Sequence, residues 1–306
     1  MSSVAILVST YNGEKYLREQ LDSILAQSGV TVKVFVRDDG SSDNTKDILT
    51  EYEKSLKNFH VAFCENVGVG NSFMNLLYSV PDTFDYYAFA DQDDIWAENK
   101  IAEAIRILEE SGKMLYASNQ ECVDKDGVSL GLRYKKDCKI HHTPLSILSE
   151  NMLAGCTMVF SNRFYKILTD TTHRPSADLL HNRIHDVWLA MIASLYDGII
   201  YDERSFIQYR QHENNVVGAK SSFRKRLKEK YRKVFHREYR NGRSLLAREV
   251  CEKFPEAAQK YPLLELCANS KSCKGKRRIL KHQKELRSYT GEKFFGFYMK
   301  VTFGLF

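Results

Sequence analysis

The sequence predicts an α/β fold: a mostly parallel central sheet with helices on both faces, followed by a basic helical region. Two observations predict it. Short apolar runs alternate with segments of helical periodicity over the first 120 residues, and the charge changes sign near residue 220. Alternating strands and helices favour parallel strands joined by crossover helices. At 306 residues and 43% hydrophobic, the chain can bury a large core.

The apolar runs predict strands, and the amphipathic segments between them predict helices. Apolar residues at 17, 21, 24 and 25 have the spacing of one helix face, and Ser42 or Asp43 is expected to cap the second helix. Strands are expected at 4–8, 32–36, 60–64, 86–90 and 114–118, and helices at 14–27, 43–56, 71–79 and 98–111. Beyond residue 120 the pattern is weaker, with helices at 145–151 and 185–196 and extended segments at 156–160 and 199–201.

Three polar clusters, at 9–13, 38–43 and 91–94, each follow an apolar strand. Asp, Asn, Gly and Ser are also common turn formers, so either of the first two alone is ambiguous. If the strands are parallel, all three clusters lie at one edge of the sheet. Ligands of such sheets bind beyond the carboxyl ends of the strands.

The third cluster places Asp91, Asp93 and Asp94 within four residues. Carboxylates this close repel one another and favour a hard divalent cation with oxygen ligands. Such a cation would neutralise a diphosphate and help it to leave. The alternative is a solvated acidic loop that caps the helix at 98–110.

Three segments, VSTYNGE at 8–14, RDDGSSDNT at 37–45 and ADQDDIW at 90–96, resemble the family 2 glycosyltransferases. The resemblance covers roughly residues 3–218. It implies an inverting enzyme of the GT-A fold that uses a nucleotide-diphosphate sugar. Later segments at 151–158, 185–190 and 209–218 look like the subgroup that builds bacterial surface polysaccharides, in which rhamnosyltransferases are prominent.

The resemblance also implies roles for individual residues. Asp93 would be the principal ligand of Mg²⁺ or Mn²⁺, and His212 a second metal ligand. Arg210 could contact phosphate with its planar fork. The remaining expected contacts to the nucleotide sugar are Thr10, Tyr11, Asn12, Asp38, Asp39, Asp91, Gln92 and Asp94.

Inversion by direct displacement requires a carboxylate that takes the proton of the acceptor hydroxyl. The resemblance implies that Asp186 is this base. The alternative is a carboxylate at a helix N-terminus that the macrodipole stabilises, and Glu203 is a weaker competitor for the base. His185 stands where the wider family more often has Glu, which leaves position 185 without an assigned role.

The charge divides the chain near residue 220, which predicts a catalytic domain at 1–219 and a basic helical region at 220–306. The first holds 21 Lys and Arg against 31 Asp and Glu, and the second holds 24 Lys and Arg against eight Glu. Basic residues interleaved with aromatics suit an anionic membrane surface. Nucleic-acid binding and a homo-oligomer interface are the alternatives.

The expected reaction is transfer of a sugar to a lipid-linked saccharide in capsule, O-antigen or cell-wall polysaccharide synthesis. L-Rhamnose from dTDP-L-rhamnose is the first expected donor, and a hexose from a UDP-sugar the second. A metal-dependent nucleotidyltransferase is an alternative, although residues 8–15 lack its Gly-rich basic loop. A dehydrogenase is disfavoured because no GxGxxG motif follows the first strand.

The expected location is the cytoplasm, peripheral to the inner face of the cell membrane. The start of the chain lacks the pattern of a secretory signal, and no window of about 18 apolar residues predicts a spanning helix. Seven scattered cysteines without CxxC spacing fit reduced thiols.

Overall fold

A computed structural model describes residues 1–182, 184–211, 242–290 and 292–304, which form two compact units. The first unit comprises Met1–Ile140, Leu153–Thr169 and residues 198–211. The second comprises His141–Met152, the described part of Asp170–Asp197, and residues 242–304. The predicted domain boundary at 219/220 lies outside the described residues. The second unit also takes in two segments that precede that boundary.

Within the described part of the chain, nine strands form one sheet in the first unit, in the order β3-β2-β1-β4-β8-β6-β9-β5, with β7 paired to β6. The strands are β1 Ser3–Thr10, β2 Thr31–Asp38, β3 Phe59–Phe63, β4 Tyr86–Ala90, β5 Ile95–Trp96, β6 Leu115–Val123, β7 Ser129–Leu132, β8 Val159–Ser161 and β9 Ile199–Arg210. The longer strands pair in parallel: β1 with β2 and β4, β2 with β3, and β6 with β9. This confirms the predicted α/β fold. The short strands β5, β7 and β8 pair antiparallel, which was not predicted from the sequence.

Helices connect the strands. In the first unit they are α1 Leu17–Leu25, α2 Thr45–Ser55, α3 Val69–Ser79, α4 Lys100–Ser111 and α6 Asn162–Thr169. Asn44 occupies the N-cap of α2, one residue later than predicted, although the Asp43 side chain does bond the first amide of the helix. Asp43 lies one residue earlier, and its carboxylate is shared between the amides of Thr45 (3.0 Å) and Glu14 (3.1 Å).

The central strands are buried on both faces, and this explains their continuous apolar runs. Residues 4–8 of β1 and 87–90 of β4 are wholly inaccessible to solvent. Parallel register places Thr10 beside Asp38 and Val8 beside Ala90. The three polar clusters therefore emerge at one edge of the sheet, as the sequence predicts.

The second unit is helical. Its helices are α5 Pro144–Ser149, α7 Ala177–Asn182, α8 His185–Leu195, α9 Gly242–Lys253, α10 Pro255–Lys260, α11 Pro262–Ala268, α12 Cys273–Lys281, α13 Gln283–Thr290 and α14 Phe294–Thr302. Trp188 of α8 is fully buried beside Phe254, on which His173 stacks at 4.4 Å. Among the described residues, none of the helices combines the length and the hydropathy needed to cross a bilayer.

Candidate active site

The loops that follow β1 and β2 are joined by side-chain hydrogen bonds. Thr10 Oγ1 donates to Asp38 Oδ1 at 3.1 Å. The Asn12 amide donates to Ser41 Oγ at 2.9 Å, and the Ser42 amide donates to Asn12 Oδ1 at 2.8 Å. Asn12 adopts a left-handed backbone conformation with φ of 49°, which Asn tolerates better than most residues. The two loops therefore form one preorganised surface.

Gln92 connects this surface to the acidic cluster. Its Oε1 accepts from the Tyr11 amide at 2.8 Å, and its Nε2 donates to the Tyr11 carbonyl at 3.0 Å. Gly13 leaves room for this pairing, because a Cβ at residue 13 would lie 2.3 Å from Gln92 Oε1. Gln92 thus holds the backbone of Tyr11, whose side chain is half exposed.

Asp38 and Asp39 are both buried, and their carboxylates hold backbone groups. Asp38 accepts from the Ser41 amide at 2.9 Å. Asp39 accepts from the amides of Val67 and Gly68 at 3.1 and 3.0 Å. The pair therefore fixes the loops after β2 and β3. Its expected contact with the donor stays a prediction.

The carboxylates of the acidic cluster lie in different environments. Asp91 and Asp93 are half-buried, whereas Asp94 is completely buried. Burial, and then the charges of Asp93 and Asp91, raises the pKa of Asp94 well above its ordinary value. Asp94 Oδ1 accepts from the Arg210 amide at 3.2 Å. Its environment favours the protonated form, so Asp91 and Asp93 are the members suited to meet a ligand.

Asp91, Asp94 and Cys156 lie close enough together to be considered as a metal site. One ligand atom of each lies within 4.8 Å of the others. Burial raises the pKa of the Cys156 thiol well above its usual range, and Sγ accepts from Gln120 Nε2 at 3.2 Å. A protonated thiol is a poor ligand for a hard cation. Carboxylates such as those of Asp91 and Asp93 are the ligand type that Mg²⁺ and Mn²⁺ prefer, whereas a protonated thiol is not.

Lys100 lies near the cluster at the start of α4 and is completely buried. Its ammonium stands 3.7 Å from the centre of the Trp96 ring, a cation–π contact. Burial lowers the pKa of Lys100 to about 7, although Cys156 and Asp94 act in the opposite direction. No hydrogen-bond acceptor for Nζ is found within the described residues.

Arg210, at the carboxyl end of β9, is buried and bonded to the protein. Its Nε donates to the Asp93 carbonyl at 3.1 Å, and one terminal nitrogen donates to the Lys125 carbonyl at 3.2 Å. The other terminal nitrogen pairs with Glu19 at 2.5 Å, and the guanidinium lies 4.5 Å from the Tyr16 ring centre. These contacts tie Arg210 to the backbone of the acidic cluster. The phosphate contact expected of Arg210 stays a prediction.

The candidates for the catalytic base lie on α8 and β9. Asp186 lies in the first turn of α8, in the second unit, and is half-buried. Burial lowers the pKa of the preceding His185 to about 3, which keeps this imidazole neutral. Glu203 is exposed in β9, seven residues before Arg210. The choice between Asp186 and Glu203 as the base stays a prediction. His212 lies outside the described residues.

The contributions of Ser41, Glu19 and Lys100 were not predicted from the sequence. Lys100 carried a signal, because it falls on the same helix face as the buried Ile101, Ala104, Ile105 and Leu108. A lysine that falls on the apolar face of a predicted helix indicates that its charge is buried in the fold. The pairing of Glu19 with Arg210 spans 191 positions of sequence and had no local signal.

Comparison with known proteins gives consistent matches. The model of the family described as glycosyl transferase family 2 matches residues 5–172. A dTDP-rhamnosyl transferase, RfbG of Shigella flexneri, is 33% identical over 230 residues, covering 72% of this chain and 77% of the relative. A glycosyltransferase named for teichuronic acid biosynthesis, TuaG of Bacillus subtilis, is 28% identical over 165 residues, 52% of this chain and 62% of that protein.

Solved structures show the same fold at low identity. The crystal structure of S. aureus TarS 1-349 in complex with UDP-GlcNAc superposes with a TM-score of 0.59 at 18% identity, covering 94% of this chain and 80% of that one. The complex with UDP gives 0.58 at 20% identity, with coverage of 87% and 71%. At these identities the likeness concerns the fold alone.

Proposed function

The chain belongs to glycosyl transferase family 2 and is a glycosyltransferase, and we propose that it transfers L-rhamnose from dTDP-L-rhamnose to a lipid-linked saccharide of a bacterial surface polysaccharide. The named activity of the Shigella relative, which is matched over 77% of its length, supports this donor. The teichuronic acid relative supports a polysaccharide product. A hexose from a UDP-sugar is the second donor to test.

One observation carries the donor site: three polar loops are joined by hydrogen bonds at one edge of the sheet. A pyrimidine edge and ribose hydroxyls require a few fixed polar partners in a pocket. The proposed contacts are the accessible side chains and backbone groups of the 10–12 and 38–42 loops. Asp38, Asp39 and Gln92 fix these loops, and Asp91 faces the donor.

Asp93 together with Asp91 would hold Mg²⁺ or Mn²⁺, and His212 is proposed as a further ligand. When bound, the cation would neutralise the negative charge of the departing diphosphate. Arg210 acts on this site as a positioning residue, since its Nε bonds to the Asp93 carbonyl and its amide bonds to the Asp94 carboxylate. Asp94, whose carboxylate accepts from the Arg210 amide, anchors the cluster.

Asp186 is the proposed general base. The acceptor oxygen attacks the anomeric carbon from the face opposite the diphosphate, and the bond from that carbon to the diphosphate breaks. The hydroxyl proton passes to the Asp186 carboxylate. A single displacement of this kind inverts the configuration at the anomeric carbon.

The donor is tested with a panel of nucleotide sugars in the presence of Mn²⁺, measured by thermal shift. A ligand at 100 times its dissociation constant stabilises the fold by about 2.7 kcal/mol, so dTDP-L-rhamnose is expected to give the largest shift. A larger thermal shift with a UDP-hexose would mean that the UDP-hexose is the donor. It would leave the assignment as a glycosyltransferase unchanged. Release of nucleoside diphosphate, in place of pyrophosphate, separates this reaction from nucleotidyl transfer.

The metal is tested by chelation. EDTA and Asp93→Asn should each abolish turnover, and Mn²⁺ should stabilise the wild type but not the variant. Asp126→Asn is the matched control, because both this carboxylate and the Lys125 ammonium with which it pairs are exposed. Full activity in EDTA would remove the metal from the mechanism.

The proposed site of action is the cytoplasmic face of the cell membrane, where a lipid-linked acceptor is presented. The net positive charge of residues 220–306 supports this location. Much of that charge, at 220–241, lies outside the described residues. The described helices of the second unit allow a more specific assignment.

A further inference from the structure

Helix α14 and the residue that follows it expose a set of aromatic side chains. Phe295 is 72% exposed, Phe303 59%, Phe294 51% and Tyr298 41%. These four residues are called the aromatic face. Contiguous apolar patches larger than about a few hundred Å² are uncommon on soluble proteins and mark interaction sites. Phe294 and Tyr298 are neighbours one helical turn apart, with ring centres separated by 6.0 Å.

A neighbouring stripe of α14 is anchored in the second unit. Phe297 and Val301 are buried. Lys276 Nζ donates to the Thr302 carbonyl at 2.8 Å, and Glu292 pairs with both Lys300 and Arg243. The aromatic face is therefore presented by a helix that is fixed along the stripe beside it.

Cations accompany the aromatic face on the same stretch of chain. Residues 271–304 contain ten Lys and Arg against two Glu. One of these, Glu292, is neutralised by Arg243 and Lys300. The exposed cations on α12, α13 and the residue before α14 are Lys274, Arg277, Arg278, Lys281, Lys284 and Lys293.

We propose that the aromatic face inserts into the interfacial layer of an anionic bilayer, while the surrounding cations contact lipid phosphates. The inference rests on the proposed function, for which it names the surface that reaches a lipid-linked acceptor. Nine residues of helix span about 14 Å, well short of the ~30 Å hydrocarbon core. Helix α14 therefore lies in the plane of the interface.

The chemistry favours a lipid partner over the alternatives. A second copy docked through this face would bring two sets of cations together, which is unfavourable. Three of the four aromatic side chains are phenylalanine, which offers no hydrogen bond to a partner and gains most from an apolar phase. Each cation near an anionic surface adds to the attraction, so several act together.

The test is flotation of the full chain with vesicles of phosphatidylcholine alone or with added phosphatidylglycerol. Binding is expected only to the anionic vesicles and should weaken as salt rises, because salt screens exposed charges. The variant Phe295→Ser/Tyr298→Ser removes half of the aromatic face and is expected to reduce binding at least fivefold. Tyr196→Ser is the matched control, since Tyr196 is 46% exposed in the second unit but lies outside the aromatic face.

The variant Phe295→Trp gives a second measurement of membrane insertion, by fluorescence, that does not depend on weakened binding. Both native tryptophans, Trp96 and Trp188, are buried. The new indole should blue-shift its emission with anionic vesicles and stay unchanged with neutral ones. Equal flotation of the double variant and wild type, an unshifted indole, or salt-dependent binding to duplex DNA without vesicle binding would each overturn the proposal.

Release of nucleoside diphosphate with a water-soluble saccharide acceptor and no vesicles separates this proposal from the proposed function. The double variant should match the wild type in that assay, since its substitutions lie outside the donor site. Vesicle binding without any reaction of nucleotide sugars would refute the proposed donor chemistry and leave the membrane surface standing. Donor turnover without vesicle binding would refute the membrane surface and leave the proposed donor chemistry standing.

Discussion

Arg210 donates from Nε to the main-chain carbonyl of Asp93 at 3.1 Å, which joins the end of β9 to the acidic cluster. The same residue uses its own amide to bond Asp94. A buried guanidinium held by Glu19 and two carbonyls is a fixed support for the carboxylates beside it. The proposed metal requirement should therefore depend on residues that are not proposed metal ligands.

Glu19→Gln and Arg210→Lys should disturb the support without removing a proposed metal ligand. Lys cannot reproduce the planar fork of Arg, so the Mn²⁺ concentration for half-maximal activity should rise about tenfold in Arg210→Lys and less in Glu19→Gln. The measurement is a metal titration of initial rates. Arg204→Lys is the control, because Arg204 is half exposed. An unchanged metal requirement with reduced stability would show a purely structural role.

Gly13→Ala should displace the Gln92 amide from the Tyr11 backbone. The added Cβ would meet Gln92 Oε1 at 2.3 Å, and two hydrogen bonds would be lost. We expect the free energy of unfolding to fall by about 1–3 kcal/mol and the KM for donor to rise. Gly296→Ala is the control for stability, since nothing lies within 4 Å of a Cβ added there and Ala favours a helix by roughly 0.5–1 kcal/mol. Equal stability of wild type and Gly13→Ala would argue against the pairing.

Lys100 should give stability a dependence on pH. Its pKa is about 7 in the folded chain and 10.5 ordinarily. Between these values the unfolded chain keeps a proton that the folded chain has released, so the free energy of unfolding rises with pH across that window. Denaturation at several pH values between the two pKa values should show this rise in the wild type and a flatter profile in Lys100→Met.

Lys54→Met is the control for Lys100→Met, because Lys54 is exposed on α2. It should keep the wild-type slope. An identical slope in all three proteins would mean that Lys100 titrates near its ordinary value and is not buried as the structure has it.

Asp186→Asn should leave donor binding intact while removing the base. General-base catalysis contributes roughly 10²–10⁴-fold, so kcat should fall by that factor with little change in the thermal shift produced by donor and Mn²⁺. Glu203→Gln serves as the comparison and should stay within a few-fold of wild type. Turnover of Asp186→Asn close to wild type would require another base.

The positions of the three polar clusters at the ends of strands could be predicted from the local sequence pattern. The runs before Ser9 and Asp91 are apolar because β1 and β4 are buried on both faces, whereas β2, which ends at Asp38, is buried at alternate positions. Parallel pairing brings the three strand ends together. Motif resemblance added the expected roles. The local pattern was sufficient for these clusters because each apolar run and the polar residues after it lie within about ten residues, the length of one strand and its loop.

Other features depend on distant pairing. Strand β5 has two residues, and its partners Ile207 and Gln208 lie far along the chain in β9. Strand β8, which separates β4 from β6, has three residues. Such short elements carry no periodicity. The different roles proposed for the three aspartates likewise depend on how far each is buried. The burial of a side chain is determined by the fold and cannot be read from the local sequence.

Tyr11 is held through its peptide groups, and its side chain projects half into solvent. The shape of its loop is therefore independent of which side chain residue 11 carries. Exchange at this position alters what the loop presents without altering the scaffold. Within the proposed donor site, residue 11 is a position where the side chain can be exchanged while the hydrogen bonds that hold the loop are kept.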